Sequence, residues 1–219
     1  MPIYFSEHEV VLPGQLLSDN GKRSGDGTYA VGGKVYASQA GFATVKNNKV
    51  TVIPFKGVYK PSPGDRVIGI ISDVKPNGFE VNLGKHLTGM IKIPDREQVR
   101  NTKLKVGDVI YVRVKQSGLS GIVLERSERI KRFESGLLVQ IHPAKIPRLI
   151  GKKGSMISVV KKLTGCDVVI GKNGLVVING PSPEKEFAAM KAIQLIENEA
   201  HTSGLTERVE KLIKELLSS

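Results

Sequence analysis

The hydrophobic pattern of this chain changes once, near Arg132, and that change restricts what the chain can fold into. Before Arg132, short apolar runs rich in β-branched residues are separated by glycine, proline or asparagine, a pattern typical of strands and tight turns. After Arg132, apolar residues recur at helical spacing in segments such as SMISVVKKLTG and EFAAMKAIQLIENEA. The sequence therefore predicts a multidomain protein in which an all-β part precedes an α/β part.

The β-rich part itself divides at residues 60–65, where KPSPGD places two prolines and one glycine within six residues. Such a segment is typical of a domain boundary or a tight entry turn. We predict an N-terminal all-β domain at residues 1–60, with four to six short strands and a hairpin tip at KNNK, residues 46–49. For residues 61–130 we predict a five-stranded OB-fold β-barrel, with a short helical or irregular connection at 95–106 before its fourth strand.

Residues 131–219 are predicted to form an α/β domain with the order β-α-α-β-β-α, followed by a last helix from about Leu205 to Leu217. The helix after the second strand pair is expected to begin at Pro183, because proline is favoured at the first helical position. Ser182 is expected to be its N-cap, since a hydroxyl there accepts a hydrogen bond from the first turn.

Basic side chains outnumber acidic ones by 33 to 21, which gives the chain a formal net charge of +12. The excess is concentrated between Lys131 and Lys172, where nine basic residues accompany two acidic ones. From Asn173 onward, five basic residues accompany seven acidic ones. A basic stretch within a folded domain favours a polyanion as partner, although a basic chain is by itself a common and unspecific feature.

The tetrad GKKG, residues 151–154, lies within that basic stretch and between two predicted helices. Glycine leaves backbone N–H groups accessible to a ligand, and the following helix directs the positive end of its dipole at the same point. Lys152 and Lys153 add charge at the tip, and Arg148 adds more from the preceding helix. This combination predicts a site for a sugar-phosphate chain, whereas an isolated G-x-x-G is more often only a turn between helices.

A second tetrad, GKNG at residues 171–174, is predicted to lie between two strands rather than between two helices. Asn173 followed by Gly174 is a strong signal of a tight hairpin. The residues of this tetrad therefore predict the turn of a β-hairpin.

The composition excludes several classes of protein. With one cysteine, Cys166 in an apolar run, disulfides and cysteine-rich metal sites are excluded, and the four histidines lie too far apart in sequence for a metal motif. The sequence has no nucleophile, base and acid constellation and no Walker-type glycine loop, so we predict no enzyme, no cofactor and no metal site. The start lacks a basic and apolar leader and no run of eighteen apolar residues occurs, so we expect a cytoplasmic protein without membrane contact.

The order of elements around GKKG, with Ile150 before it and Ile157 after it, resembles the KH domain of RNA-binding proteins over about Leu137 to Ala200. In that family the G-x-x-G loop clamps about four nucleotides of backbone, while the adjoining helix and strand form an apolar groove for bases. The resemblance implies contact with single-stranded RNA by five residues, Arg148, Gly151, Lys152, Lys153 and Gly154.

Residues 64–93 are similar to the RNA-binding OB-fold domain named from ribosomal protein S1, and they keep its frame at Gly64, Val67, Gly69, Gly78, Val81, Gly89, Met90 and Ile91. The aromatic positions are not kept: Asn77 and Glu80 stand at two of them, and Lys92 replaces a histidine. Only Phe79 is aromatic nearby, on what is expected to be the other face of the strand.

Base stacking on this barrel is therefore expected to be weak, because stacking needs an aromatic face. What remains is positive charge, which predicts a path that guides a single strand without reading its sequence. The residues of this path are Lys75, Lys85, Lys92, Arg96, Arg100 and Arg113.

Nearly the whole chain resembles the RNA-binding cap subunit of the exosome, the ribosomal-RNA-processing protein four family in its archaeal form. The resemblance rests on the order of the three domains, on VVLPGQLLSDN and GDGTYAVGGKVYASQAG near the start, and on a G-x-N-G tetrad in the KH domain. The tetrad is matched by Gly171, Lys172, Asn173 and Gly174.

This resemblance implies a non-catalytic subunit without a cofactor. Three copies, or a mixture with a related cap protein, are expected on a hexameric ring of ribonuclease-PH-type subunits. The N-terminal domain is expected to dock, and the barrels to line the entry pore. RNA captured by the cap is expected to enter 3′ end first, for 3′-to-5′ degradation and processing inside the ring.

Two other functions use similar domains. A free-standing RNA-binding factor in translation or ribosome assembly would share the KH and barrel chemistry but would lack a large apolar docking surface. A fragment of a nuclease or polynucleotide phosphorylase is disfavoured, because the residues before Gly64 are too few for a catalytic core. Binding to a membrane by a basic patch is disfavoured as well, since the charge lies on a glycine loop rather than on an amphipathic helix.

Overall fold

The computed structural model describes residues 3–6, 9–19, 23–46, 48–54, 59–93, 99, 102, 104–118, 121–125, 130–199 and 204–218, with the side chain of Lys46 left out. The chain divides into two compact units, Met1–Val58 and Tyr59–Ser219. Most of the connection predicted at residues 95–106 lies outside the described residues. The predicted division of the chain at 60/61 and 130/131 stays a prediction.

The first unit is all-β, as predicted. Its described residues form seven strands: β1 (Val10–Val11), β2 (Leu16–Asp19), β3 (Arg23–Ser24), β4 (Thr28–Val31), β5 (Lys34–Ala37), β6 (Gly41–Lys46) and β7 (Lys49–Pro54). The strands form two sheets, ordered β1-β6-β7-β3 and β2-β5-β4. The predicted number was lower because β1 and β3 have two residues each, and a strand of two residues is too short to show alternation in the sequence.

The predicted hairpin tip at residues 46–49 is confirmed, because β6 and β7 pair antiparallel up to Lys46 and Lys49. Asn48 has a φ of 59°, the left-handed conformation that tight hairpin turns require and that asparagine tolerates. The core of this unit contains small apolar side chains such as Val11, Leu17 and Val52.

The second unit begins with the predicted barrel. Its strands are β8 (Arg66–Lys75), β9 (Gly78–Asn82), β10 (Thr88–Lys92), β11 (Val109–Gly118), β12 (Gly121–Leu124) and β13 (Lys131–Phe133). The sheet order is β12-β10-β9-β8-β11-β13, and β12 also pairs with β11, so five strands close into a barrel. The sixth strand, β13, pairs with β11 although its residues were predicted to belong to the third domain.

The remaining residues form a KH fold with the predicted order. Its elements are β14 (Leu137–Gln140), α1 (Ile146–Ile150), α2 (Ser155–Thr164), β15 (Asp167–Ile170), β16 (Leu175–Asn179), α3 (Pro183–Asn198) and α4 (Leu205–Ser218), with a 3₁₀ turn at Pro143–Lys145 before α1. The three strands form an antiparallel sheet ordered β14-β16-β15. The apolar residues of the sheet and of all four helices share one core, in which Cys166 is buried.

Two details of the helices refine the predictions. Ser182 has an extended backbone at the N-cap of α3, but its side chain makes no capping hydrogen bond to the helix. None of the described helices is long and apolar enough to cross a membrane.

The barrel and the KH domain share a second apolar cluster, which joins them into one unit. Ile68 of the barrel is buried against Leu175 and Val177 of the KH sheet, with side chains of β11, β13, β14 and β15 packed around them. Because burial of apolar area is the main favourable term in folding, this cluster fixes the two domains relative to each other.

Candidate nucleic-acid interface

The GKKG loop forms a tight corner between α1 and α2. The N–H of Gly151 donates to the carbonyl of Pro147 at 2.9 Å, which ends α1, and the N–H of Gly154 donates to the carbonyl of Gly151 at 3.2 Å. Three of the four residues have positive φ: Gly151 at 75°, Lys153 at 52° and Gly154 at 82°. This left-handed path turns the chain outward, and the side chains of Lys152 and Lys153 are exposed at its tip.

The two glycines of the loop are needed for different reasons. A Cβ on Gly151 would lie 2.7 Å from the backbone N of Met156, so the loop packs against α2 more closely than any side chain allows. A Cβ on Gly154 would meet nothing within 4 Å, so this glycine is required by its φ alone. One end of the tetrad is therefore held by packing, while the other leaves open space for a ligand.

The loop is also the positive end of α2. Gly154 is the N-cap residue of that ten-residue helix, and no side chain caps it. An N-terminus that no side chain neutralises attracts an anion, because the first N–H groups and the helix dipole both favour negative charge. Lys152 and Lys153 have no ion-pair or hydrogen-bond partner for their side chains among the described residues. Arg148 is exposed on α1, one turn before them.

Two other cations of the basic stretch, Lys131 and Lys161, are already engaged. Asp167 accepts from Lys161 at 3.0 Å and from Lys131 at 3.4 Å. The hydrogen bond from Lys161 lowers the pKa of Asp167 below its usual value. Its effect is larger than that of burial, which raises the pKa. The charges of Lys131 and Lys161 are therefore offset, whereas those of Lys152 and Lys153 at the loop are not offset by any described acidic side chain.

An apolar surface adjoins the loop. Ile150, the last residue of α1, is 38% exposed, although it is a large hydrophobic side chain. Ile157, in the first turn of α2, is half-buried and packs on the domain core. Both positions flank the tetrad, as the resemblance to KH domains implied, and both offer contact area to a base beside the phosphate site.

Among the residues that the structure describes, two of the six cations in the predicted path on the barrel lie beside acidic side chains. Lys75 forms an ion pair with Glu80 and Arg113 lies 3.8 Å from Glu125, so their charges are offset. The hydrogen bond to Glu80 raises the pKa of Lys75. Lys92 is exposed and pairs with Gly78 at the open end of the hairpin formed by β9 and β10. Lys75 pairs with Gly78 from the neighbouring strand β8, so it lies at the same end.

Lys85 lies at the opposite end of the same hairpin, in the turn between β9 and β10, and it is exposed. Arg96 and Arg100 lie outside the described residues. Phe79 is fully buried in the barrel core, which confirms that it lies on the other face and offers no ring to a base.

The GKNG tetrad lies in the contact between the barrel and the KH domain. It forms the predicted turn between β15 and β16, with the N–H of Gly171 donating to the carbonyl of Leu175 at 2.8 Å. Asn173 is only 4% exposed. Its Nδ2 donates to the carbonyls of Ile68 at 2.6 Å and Leu83 at 2.8 Å, and its Oδ1 accepts from the N–H of Ile68 at 3.2 Å.

The lysine of this tetrad is bound to the barrel as well. The N–H of Lys172 donates to the carbonyl of Arg66 at 2.9 Å, and its Nζ donates to Asp65 Oδ1 at 2.6 Å. A Cβ on Gly171 would lie 2.7 Å from the N of Ile68. We call Asp65, Gly171, Lys172 and Asn173, with the barrel groups they bind, the interdomain joint.

Tyr59, which no sequence motif singled out, completes the joint by binding Asp65. Tyr59 donates its hydroxyl to Asp65 Oδ2 at 2.9 Å, and the N–H of Ser62 donates to the same oxygen at 3.1 Å. Burial opposes the charge of Asp65, but these bonds and the one from Lys172 outweigh it and lower the pKa of Asp65. Burial and the bond to Asp65 raise the pKa of Tyr59. Asp65 and Lys172 lie more than a hundred residues apart, so no local pattern signals their pairing.

The N-terminal unit carries an exposed apolar row on one sheet. Val10 pairs with Phe42 across β1 and β6, and Phe42 pairs with Ile53 across β6 and β7. Residues directly opposite each other share a face, and these three are 53%, 38% and 48% exposed. We call them the outer apolar row. Contiguous exposed apolar side chains mark interaction surfaces more often than single ones do.

Among the described residues, no group of three or more histidine, cysteine, aspartate or glutamate side chains could hold a metal ion.

Three family models match the chain in sequence order. They are the exosome RNA binding protein RRP4 N-terminal domain at residues 8–56, the S1 RNA binding domain at residues 60–118 and the KH domain at residues 137–198. The fold class and the family predicted from the sequence are thereby confirmed.

Similar proteins cover nearly the whole chain. The exosome complex component Rrp4 of Methanobrevibacter smithii is 37% identical over 220 residues, which are 94% of this chain and 71% of that protein. The exosome complex component Rrp4 of Pyrococcus furiosus is 36% identical over 225 residues, which are 96% of this chain and 84% of that protein. A crystal structure of a protein assigned as an exosome complex RNA-binding protein matches with a TM-score of 0.67 and 32% identity, over 74% of this chain and 98% of that one.

Because all three domain models match in order and the relatives are 36–37% identical over most of both chains, this chain belongs to the Rrp4 family of exosome complex components.

Proposed function

We propose that the chain is a non-catalytic RNA-binding subunit of an archaeal exosome, acting in the cytoplasm without a cofactor. The observation that carries the RNA-binding part is the GKKG loop, where two exposed lysines, unpaired among the described residues, project beside the uncapped end of α2. Such a corner fits the sugar-phosphate backbone of a single strand, and Ile150 and Ile157 offer apolar contact beside it. The family of the chain supports the exosome as the complex in which it acts.

In the proposed assembly, three copies sit on a ring of ribonuclease-PH-type subunits, alone or mixed with a related cap protein. The N-terminal domain docks on the ring, and the barrels surround the entry to its pore. The cap captures RNA and passes the 3′ end into the ring for 3′-to-5′ degradation and processing. Support for docking comes from the outer apolar row, whose three large side chains remain exposed on the chain alone.

The RNA-binding part is tested by replacing Lys152 and Lys153 together with aspartate. Fluorescence anisotropy with a labelled single-stranded oligouridine, between about 50 and 200 mM salt, measures the affinity and its salt dependence. We expect the affinity to fall by about tenfold or more, and the salt slope to fall by about 0.7 for each phosphate that the protein no longer neutralises. The matched control replaces Lys211 and Lys214, two exposed lysines of α4, with aspartate and should bind almost as tightly as the original chain. Equal decreases in both variants would show that binding depends on net charge and not on the loop.

The docking part is tested with the full chain carrying either Phe42→Glu or Ile53→Lys. We expect both variants to lose co-purification with ring subunits and to keep the RNA affinity, because charges in the outer apolar row oppose burial. Val31→Glu on the other sheet, where Val31 is 60% exposed, is the matched control and should still assemble. The mass of the purified complex reports the number of cap subunits. Undiminished assembly of the Phe42 and Ile53 variants would refute docking through this row.

A free-standing RNA-binding factor is the second candidate. It predicts a monomer that recovers no ring subunits from extract, and the outer apolar row is the feature that disfavours it. We also expect the purified chain to leave RNA intact in phosphate buffer, since catalysis is assigned to the ring.

A further inference from the structure

A cleft of about 710 Å³ lies between the barrel and the first strand of the KH domain. Its barrel wall is formed by β8, β9 and the turn into β10, and its KH wall by β14 and the start of β16. This volume is within the range of sites that hold small organic groups. The cleft is separate from the GKKG loop, none of whose residues lines it.

The cleft has an apolar floor and a polar rim. Ile70, Leu138 and Leu175 supply the apolar side chains, and Leu138 and Leu175 also pack in the cluster that joins the two domains. The hydroxyls of Ser72 and Thr88 lie on the barrel side. A flat group with a polar edge can therefore bury a face against the floor of the cleft while its edge meets hydroxyl groups at the rim.

The polar rim is free to bind. Ser72, Thr88 and Gln140 have no hydrogen-bond partner for their side chains within the part of the chain that the structure describes. Gln140 extends from β14 across the cleft, since its Nε2 lies 3.9 Å from the place that a Cβ would take on Gly84. Its amide can donate and accept, as the edge of a nucleobase requires. Glu80, the one acidic lining residue, is paired with Lys75, so its charge is offset.

Positive charge lies at the mouth of the cleft on a strained turn. Gly84, Lys85 and His86 have φ values of 83°, 46° and 65°, three consecutive residues in the left-handed region. The turn is held by Leu83 N–H to the Leu87 carbonyl at 2.8 Å and by Leu87 N–H to the Gly84 carbonyl at 3.0 Å. Non-glycine residues hold such a conformation only where the surroundings impose it, and functional sites are enriched in them. The turn presents Lys85 and His86 to the cleft, where a phosphate could meet them.

The interdomain joint sets the width of the cleft. Asn173 of the KH domain donates to the carbonyl of Leu83, the residue immediately before the strained turn, at 2.8 Å. The two walls are thereby linked at the root of the turn, so the cleft is a preformed site and not a gap between loosely placed domains.

We infer that this cleft holds one unstacked nucleotide of a single-stranded RNA, with the base on the apolar floor and the phosphate at Lys85 and His86. The inference rests on the proposed RNA-binding function and extends it, because it gives the strand a second point of attachment beyond the GKKG loop. It also explains how a barrel without exposed aromatic rings holds a base, since the KH strand supplies the second wall.

The test fills the cleft without touching the core. Ser72→Leu places a bulky side chain without an aromatic ring in the cleft, and Gln116→Leu places the same side chain at an exposed position of β11 outside it. Anisotropy with a labelled oligouridine of about twelve nucleotides should show a decrease in affinity of about five- to tenfold for Ser72→Leu and none for Gln116→Leu. Lys85→Ala should lower the salt slope by about 0.7, because it removes one phosphate contact.

Two further measurements keep the outcome decisive. Gln140→Leu, which keeps the size of the side chain, should weaken binding as well and serves if Ser72→Leu lowers the melting temperature. An oligouridine carrying 4-thiouridine should crosslink to peptides that contain residues 80–92 or 137–145 of the original chain. If RNA binding depends on Lys152 and Lys153 but neither cleft variant weakens it and no crosslink falls there, the cleft inference is wrong and the proposed function stands. If the original chain binds no RNA, both are wrong.

Discussion

The two glycine tetrads of the KH domain, GKKG at 151–154 and GKNG at 171–174, differ in sequence only at the third residue. That residue is exposed in the first tetrad and buried in the second. In the first, the third residue is Lys153, which is exposed at the tip of a corner between two helices. In the second it is Asn173, which is buried with three hydrogen bonds to the barrel. One tetrad is available to a ligand, and the other is part of the contact between two domains.

The lysine at the second position shows the same difference. Lys152 has no side-chain partner among the described residues, whereas Lys172 donates to the buried carboxylate of Asp65. A glycine tetrad supplies a tight turn, and its neighbours decide whether that turn meets solvent, a ligand or another domain. Resemblance between short motifs is therefore a weak guide to function without their surroundings.

The largest expected effect separates the third residues of the two tetrads. Asn173→Ala leaves the N–H and carbonyl of Ile68 and the carbonyl of Leu83 without their partner in a buried contact. Each unsatisfied buried group costs about 1–3 kcal/mol, so the free energy of unfolding should fall by roughly 3–5 kcal/mol. Urea denaturation followed by circular dichroism measures the decrease. Lys153→Ala is the matched substitution in the exposed tetrad and should change the free energy of unfolding by less than about 0.5 kcal/mol. Similar decreases in both variants would contradict the difference between the buried Asn173 and the exposed Lys153.

A smaller effect separates the two glycines of the exposed loop. Gly151→Ala forces a Cβ to within 2.7 Å of the Met156 backbone, and it should lower the free energy of unfolding by about 2–3 kcal/mol. Gly154→Ala meets no neighbour within 4 Å and should cost only the strain of its φ, about 1–2 kcal/mol. The same urea experiment ranks the two variants. The reverse order would mean that the loop does not pack on α2 as described.

The smallest expected effect concerns pH and the interdomain joint. The pKa of Asp65 lies below its ordinary value of 3.8, so its ionisation stabilises the fold at neutral pH and this contribution is lost as the pH falls through the lowered pKa. Lys172→Met removes one donor to Asp65 and should lower stability near pH 7 by no more than about 1 kcal/mol, because Lys172 is largely exposed. The difference from the original chain should shrink as the pH falls through the lowered pKa of Asp65, because the protonated carboxyl no longer pairs with Lys172.

Unfolding free energies at several pH values test this last prediction. Lys152→Met is the control, since Lys152 has no acidic partner among the described residues and should leave the pH dependence unaltered. A difference that grows as the pH falls would contradict the assignment of the effect to Asp65.

Several features of the fold followed from local patterns in the sequence. The hairpin at residues 46–49, the order of the KH elements and the last helix, Leu205–Ser218, were all predicted, because alternation, helical periodicity and turn residues act over a few positions. The resemblance to the S1 domain placed Phe79 on the other face of its strand, and its burial agrees with the alternation of side chains along a strand.

Other features depended on contacts that local patterns do not contain. Lys75 was predicted as one of several free cations of a path, and its ion pair with Glu80 exists because β8 and β9 fold back on each other with a shift in register. The predicted N-cap at Ser182 was right in position, but the hydroxyl does not cap the helix. The cleft between the barrel and β14 could not be predicted, because its walls come from segments at least about fifty residues apart.

The sequence by itself determined the kinds of domain, their order and the exposed glycine loop, because hydrophobic period and turn chemistry are properties of neighbouring residues. The tertiary structure alone decided that GKNG binds the barrel, that Asp65 holds Lys172, and that a cleft opens beside Leu83. Asn173 and Ile68 are 105 positions apart, and their hydrogen bonds form only once burial of the shared apolar cluster has brought the two domains together.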